Sequence, residues 1–251
     1  MMTVSIVNGS TVQRGAIRPR VACFRRFLTC NPRIDTMLVL AGLLLAHVAT
    51  AQSPTGNDVA FYEGHLPRSS EGEIATSGLD DRMLRWVNGQ DGAFVTGWMQ
   101  SANATFYPMT FASVPVYWGV SVLADEIPSE DALAFTAGWA VTAGSTILLK
   151  RLVGRKRPYV SREDLVMRYK VYDLSSLGDF SSFPSGHSSM SVFLATYLAI
   201  ETNTPTVRIT SGLWAASVAA SRVWNGVHFP SDVLAGAVLG SGVALLTHHL
   251  R

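Results

Sequence analysis

The sequence predicts an all-α protein, a membrane-embedded helical bundle of about five or six helices with its functional groups gathered at one membrane face. Three observations carry that expectation. Hydrophobic residues make up 48% of the 251 and charged residues only 15%, against about 25% charged in ordinary soluble domains. Apolar runs alternate with short polar segments, and none shows the strict alternation of a half-buried strand. Gly, Ala and Ser fill those runs, as close helix packing in a bilayer favours.

The chain divides into four stretches. Residues 1–36 form a basic tail with Arg14, Arg18, Arg20, Arg25, Arg26 and Arg33 against a single acid, Asp35. Residues 37–51, "MLVLAGLLLAHVATA", read equally as a cleaved secretory signal with the cut after Ala51 or as an uncleaved first membrane helix whose flanking arginines stay cytoplasmic. Both readings put residue 52 onward outside the cytoplasm. Residues 52–100 begin as a loop (Pro54, Gly56, Gly64, Pro67, Gly72). They continue as an amphipathic segment with Leu84, Trp86, Val87, Phe94, Val95, Trp98 and Met99, interrupted by Gly89 and Gly92. Residues 101–251 are the bundle.

Within the bundle, no Asp, Glu, Lys or Arg occurs from Gly92 to Ala124, long enough for a span. "DEIPSED" breaks it, and 132–149 is a second span ending at Lys150. A basic loop, 151–182, follows. Three more apolar runs cover 190–200, 209–221 and 233–247; the second is short of a full span unless its flanks join it. Helix parity then matters. The run ending at Lys150, the one opening near Pro184, the one ending at Arg222 and the one opening at Asp232 all meet the same face, opposite 125–131. With residue 52 onward exported, that face is extracytoplasmic.

A net charge of +2 gives no sign of a nucleic-acid partner. Cys23 and Cys30 are the only cysteines, so no disulfide framework or cysteine metal site exists in the remainder.

Three polar segments converge on the shared face. In "KRLVGRKRP", Lys150 and Arg157 are two helical turns apart and can share a face, with Pro158 stopping the helix. In "FPSGHSS", Pro184 can open a helix, and Ser185, Gly186 and His187 then present backbone N–H groups at its positive end. In "SRVWNGVHFPSD", His228 and Asp232 are four apart, so the carboxylate can hold one ring nitrogen and leave the other free to attack. Taken singly, each group has a plainer explanation: a positive flank at a helix end for Lys150 and Arg157, a cap for His187, a structural ion pair for Arg222, His228 and Asp232. Together, three cations, two histidines, a carboxylate and a helix N-terminus form a set suited to phosphoryl transfer, in which cations and amides balance the equatorial oxygens. One histidine can attack phosphorus and the other protonate the leaving oxygen.

Lys150-x6-Arg157-Pro158, Pro184-Ser185-Gly186-His187 and Ser221-Arg222-x5-His228-x3-Asp232 resemble, complete and in order, the three signature motifs of the type 2 phosphatidic acid phosphatase superfamily. The resemblance covers about residues 100–250. It implies that His228 is the nucleophile that forms a phosphohistidine, that Asp232 orients it, and that His187 is the general acid. It implies that Lys150, Arg157 and Arg222 hold phosphate oxygens with help from Ser185 and Gly186, and that neither a metal nor another cofactor is needed. The partners it implies are a phosphorylated lipid and the membrane; the oligomeric state is not legible. The first reading is therefore a lipid phosphate or lipid pyrophosphate phosphatase at the extracytoplasmic face. An exported soluble acid phosphatase acting on small phosphomonoesters is the alternative, and a vanadate-dependent haloperoxidase a more distant one. His47, His65, His248 and His249 match no motif, the tryptophans suit packing or interface anchoring, and the basic loop (Arg151, Arg155, Lys156, Arg162, Arg168, Lys170) reads either as a solvated flank or as a collector of anionic headgroups.

Overall fold

The structure, a computed structural model, describes residues 78–123, 127–162, 164–168, 180–202 and 204–251. The basic tail, the 37–51 segment and the loop up to residue 77 lie outside the described residues. Those described form helices α1 (Leu79–Asn88), α2 (Ala93–Leu123), α3 (Ser129–Val153), the single turn α4 (Pro158–Ser161), α5 (Gly186–Thr202), α6 (Pro205–Trp224) and α7 (Pro230–His249), with no strand among them.

Local chemistry accounts for most boundaries. α1 starts with Asp80 and Asp81 at its positive end and stops at Gly89. α2 begins at Ala93, ahead of the bundle boundary expected at 101, because nothing charged interrupts the chain there. It runs 31 residues through Pro108 and Pro115. α6 gains its length from the flanks of the 209–221 run: Pro205 sits in its first turn and the helix continues to Trp224, 20 residues in all. α3 departs from expectation. It does not run on to Pro158 but ends at Val153, where Gly154 adopts a left-handed φ of 58° and returns its N–H to the Lys150 carbonyl.

α5 lies at the centre, in contact with α2, α3, α6 and α7. Its tightest partner is α7. A Cβ at Gly236 would lie 2.5 Å from the Ser185 carbonyl oxygen, and one at Gly240 only 2.1 Å from that of Ser189. The two backbones therefore touch with no side chain between them, the geometry that a small-xxx-small spacing permits. Around α5 the core holds Phe135, Phe193 and Tyr197, with Tyr117 stacked on Phe135 at 4.7 Å between centroids. Indole N–H groups tie neighbouring helices: Trp214 to Thr105 at 3.1 Å and Trp139 to the Thr110 carbonyl at 3.2 Å.

Polarity is distributed the reverse of a water-soluble bundle. Thr142, Thr146, Ser188, Ser189 and Ser191 are buried inside, whereas Val122, Leu133, Ile147, Leu213, Val238 and Leu245 are exposed on the outer faces. Two segments, Ser129–Ser161 and Pro230–His249, are long and apolar enough to cross a membrane by length and composition. A groove of about 1020 Å³ runs between α5, α6 and α7, lined mainly by Ala, Val and Leu side chains.

The α5–α7 contact gives a paired test. Gly240→Ala places a methyl against a fixed carbonyl and should lower stability, since overpacking costs about 1–3 kcal/mol. Gly242→Ala, where a Cβ meets nothing within 4 Å, should be neutral or slightly stabilising. Thermal unfolding midpoints in detergent check both.

Candidate active site

The three polar segments meet at one end of the bundle. Lys150 occupies the last turn of α3, and its ammonium donates to the Ser181 carbonyl. Arg157 stands after the break at Gly154, immediately before α4, so it approaches Lys150 through a turn and not along a shared helix face. The reason is the left-handed glycine, which ends the helix before the second turn is complete. Arg157 reaches the Ser181 hydroxyl at 3.3 Å and the Val227 carbonyl at 3.4 Å. Pro158 opens α4 where it was expected to stop α3.

Gly186 opens α5, with His187 beside it. A Cβ on Gly186 would sit 3.5 Å from Thr146 and 3.9 Å from the Lys150 side chain, so the missing methyl leaves room next to that ammonium. Ser185 is committed elsewhere. Its N–H donates to the Asp232 carbonyl at 2.9 Å, and its hydroxyl accepts from Ser188 at 3.1 Å. It clamps α5 to α7, and its N–H is not one of the amides facing an anion. The His187 ring stacks on Phe106 at 3.9 Å and meets the edge of Tyr107 at 5.4 Å, with Nε2 buried and without a hydrogen-bond partner.

Arg222, only 2% exposed, sits in the last turn of α6 and donates to the Asn103 side-chain oxygen from α2. Gly226, at φ 74°, then reverses the chain so that His228 returns over the bundle end, 2% exposed. Asp232 is fully buried. Its Oδ2 accepts the Phe229 N–H at 2.9 Å and the Ser182 hydroxyl at 2.5 Å, and its Oδ1 accepts from Arg155 at 2.7 Å. The Phe229 bond also caps the first turn of α7. His228 Nδ1 lies 3.7 Å from Asp232 Oδ2, an ion-pair distance beyond hydrogen-bond range, and has no hydrogen-bond partner. Burial, assisted by the charges of Arg157, Lys150 and Arg222 and opposed by Asp232, pushes His228 down to about 3. Its imidazole is therefore neutral at ordinary pH.

The basic loop turns inward rather than outward. Arg155 pairs with Asp232 and Asp80, Arg162 with Asp81 at 2.8 Å, and Arg168 donates to the Asn88 and Trp224 carbonyls at 2.7 and 3.0 Å. These three are structural ties, neither a solvated flank nor headgroup collectors; a string of basic residues does not disclose which of them find buried carboxylates. Arg151 and Lys156 remain exposed, and Lys170 lies outside the described residues. Sequence reading also missed Asn103, Ser181, Ser182 and Phe106, because uncharged residues in unremarkable contexts carry no spacing signal. Among the described residues no group of three or more His, Cys, Asp or Glu is placed to hold a metal ion.

A central helix ringed by others, with cations, imidazoles and a buried carboxylate at one end, is a helical-bundle arrangement chemically suited to holding a phosphate-like oxyanion. Residues 131–251 match the PAP2 superfamily. The chain is 35% identical over 104 residues to the lipid A 1-phosphatase of Rhizobium johnstonii, covering 40% of this chain and 39% of that protein. It is 27% identical over 171 residues to the lipid A 4'-phosphatase of Bacteroides thetaiotaomicron, covering 65% and 73%. The match thus spans about two fifths of the length of the first of these relatives. The crystal structure of Aquifex aeolicus LpxE superposes with a TM-score of 0.59 at 20% identity, covering 70% of this chain and 98% of that one.

The neutral state of His228 is measurable. In protein carrying 15N-labelled histidine, the His228 ring should remain uncharged from pH 8 to pH 5, because its folded-state pKa lies below the ordinary 6.5. The sign for stability follows: His228 favours the fold fully above 6.5 and progressively less as pH falls toward about 3. Titration of its ring near 6.5 would contradict the burial described.

Proposed function

We propose that this protein is a membrane-bound phosphatase that hydrolyses a lipid phosphate or lipid pyrophosphate through a phosphohistidine on His228. The observation that carries the reading is the convergence of Lys150, Arg157, Arg222, His187 and the His228–Asp232 pair at one end of a bundle whose outer faces are apolar. The exposed apolar side chains on the outer faces favour a lipid environment over the soluble acid phosphatase alternative, since contiguous exposed apolar surface marks a membrane or partner contact. The lipid A phosphatases among the relatives support a phosphorylated lipid as substrate class.

In this mechanism the three cations surround the phosphoryl oxygens and balance their charge, so that no divalent ion is required. The anionic substrate favours the protonated form of His187 beside it. The ring nitrogen of His228 turned away from Asp232 attacks phosphorus. The P–N bond forms, the bond to the leaving oxygen breaks, and that oxygen takes the proton of His187. Water then attacks the phosphohistidine and passes a proton back to His187; the P–N bond breaks and inorganic phosphate leaves. Asp232 holds the imidazole orientation and stabilises its positive charge when phosphorylated. Phe106, stacked on His187, fixes the acid's ring plane.

Phosphate release from a panel of lipid phosphates, lipid pyrophosphates and soluble phosphomonoesters, assayed in EDTA, tests the reading. His228→Ala should lower turnover about a thousandfold or more, as losing a covalent catalyst does, and should abolish trapping of radiolabelled phosphate on the protein. A folded His228→Ala protein with wild-type turnover would falsify the assignment.

The orientation follows from helix parity and the arginines before residue 37: the site end faces out and 127–131 faces the cytoplasm. In a protein lacking Cys23 and Cys30, single cysteines at Ser161 and Glu130 report it. An impermeant thiol reagent on intact cells should label the first and spare the second; the opposite pattern places the site in the cytoplasm.

A further inference from the structure

Asp232 is a fully buried carboxylate, and such a charge is stable only with partners. Its two oxygens are divided between two tasks. Oδ2 faces His228 and is held by Ser182 and the Phe229 N–H. Oδ1 is held by Arg155 at 2.7 Å. Arg155 lies between Lys150 and Arg157 in the sequence, yet its guanidinium is directed to the carboxylate behind the imidazole. It is itself fixed on three sides: its second nitrogen donates to Asp80 at 2.9 Å, its first also donates to the Ser231 hydroxyl at 2.7 Å, and its plane lies 4.1 Å over the Phe229 ring. Asp80, in the first turn of α1, accepts the Ser231 N–H at 2.9 Å and the Ser231 hydroxyl at 2.6 Å. α1 is seated there by Leu84, fully buried against Val223 and Phe229, and by Asn88, which donates to the Trp224 and Val166 carbonyls at 2.9 Å.

We infer that Arg155, anchored by Asp80 from α1, is a positioning residue that holds Asp232 ionised and aimed at His228. The inference rests on the phosphohistidine reading above and deepens it. The chain of contacts runs Asp80–Arg155–Asp232–His228, so a helix outside the three motifs sets the geometry of the attacking ring. The charge of Arg155 offsets that of Asp232, and its fork, shared between Asp232 and Asp80, fixes the direction of the carboxylate as a flexible ammonium would not. Arg155 acts through Asp232 and not on the phosphate, so its loss falls on turnover and spares oxyanion binding.

The test compares Arg155→Gln, Arg155→Lys and Asp80→Asn with the wild type in phosphate release, in KM, in inhibition by inorganic vanadate, and in thermal midpoint. Arg155→Gln should lower kcat about tenfold to a hundredfold, the scale of misplacing a reacting group by about 1 Å, with KM and vanadate inhibition within about twofold of wild type. Arg155→Lys should recover part of the loss. Asp80→Asn, at a position whose side chain is 30% exposed, should fold and show a smaller loss in kcat alone. Combined with Arg155→Gln it should add little, because both act on one link. An unchanged kcat in folded Arg155→Gln or Asp80→Asn overturns the inference. So does a loss confined to KM and vanadate inhibition, which would make Arg155 a phosphate ligand. If the wild type releases no phosphate from any substrate, the phosphatase reading itself fails, and the inference with it.

Discussion

The backbone contact between α5 and α7 is the constraint on which the site depends. Gly236 and Gly240 leave no side chain between the two helices, and the Ser185 and Ser189 carbonyls fill the space where a Cβ would stand. That contact lays the start of α5 beside the first turn of α7, close enough for the Ser185 N–H to reach the Asp232 carbonyl. Two motifs distant in sequence are thus joined by main chain rather than by flexible side chains. Gly138 lets α3 pack closely against the Phe193 and Thr247 side chains, on the helix that carries Lys150 in its last turn. Side chains mounted on such a frame lose little by thermal wandering, and in the proposed reaction their orientation would be a large part of what the site contributes to rate.

A second requirement follows from burial. Arg222 and Asp232 carry charge at 2% and 0% exposure, and charges so placed are tolerated only when hydrogen-bonded and balanced. Asn103 meets Arg222 from α2, and Ser182, the Phe229 N–H and Arg155 meet Asp232. The apolar bundle therefore ends in a layered polar cap. Its inner layer is the three motifs. Its outer layer is α1 with Arg155, Arg162 and Arg168, held by Arg162 to Asp81 and Arg168 to Asn88 and Trp224. Basic residues that look like a flank in the linear chain are the ties of that cap.

Much of this was legible beforehand. The apolar runs gave the helices because a chain so poor in charge has few places to break, and parity alone brought Lys150, His187, Arg222 and Asp232 to one end. The stop of α3 was not legible, because Gly154 and Pro158 both break helices and only the left-handed φ at Gly154 shows which one acts. The Ser185 N–H was expected to face an anion and instead donates to the Asp232 carbonyl at the α5–α7 junction, since a main-chain N–H has no side-chain signature to declare its partner. The amphipathic segment after residue 78 was expected to lie outside the bundle; Leu84 and Asn88 attach it to the α6–α7 turn.

By itself, then, the sequence determined the helical class, the order of the apolar helices and the set of motif residues, because hydrophobic run length and fixed spacings are local properties. Only the tertiary structure decided how Lys150 and Arg157 meet across a turn, which arginine serves Asp232, and which helix braces that arginine. These depend on where a few glycines allow backbones to approach and on which buried charge each cation reaches first, and neither is written in any short stretch of the chain.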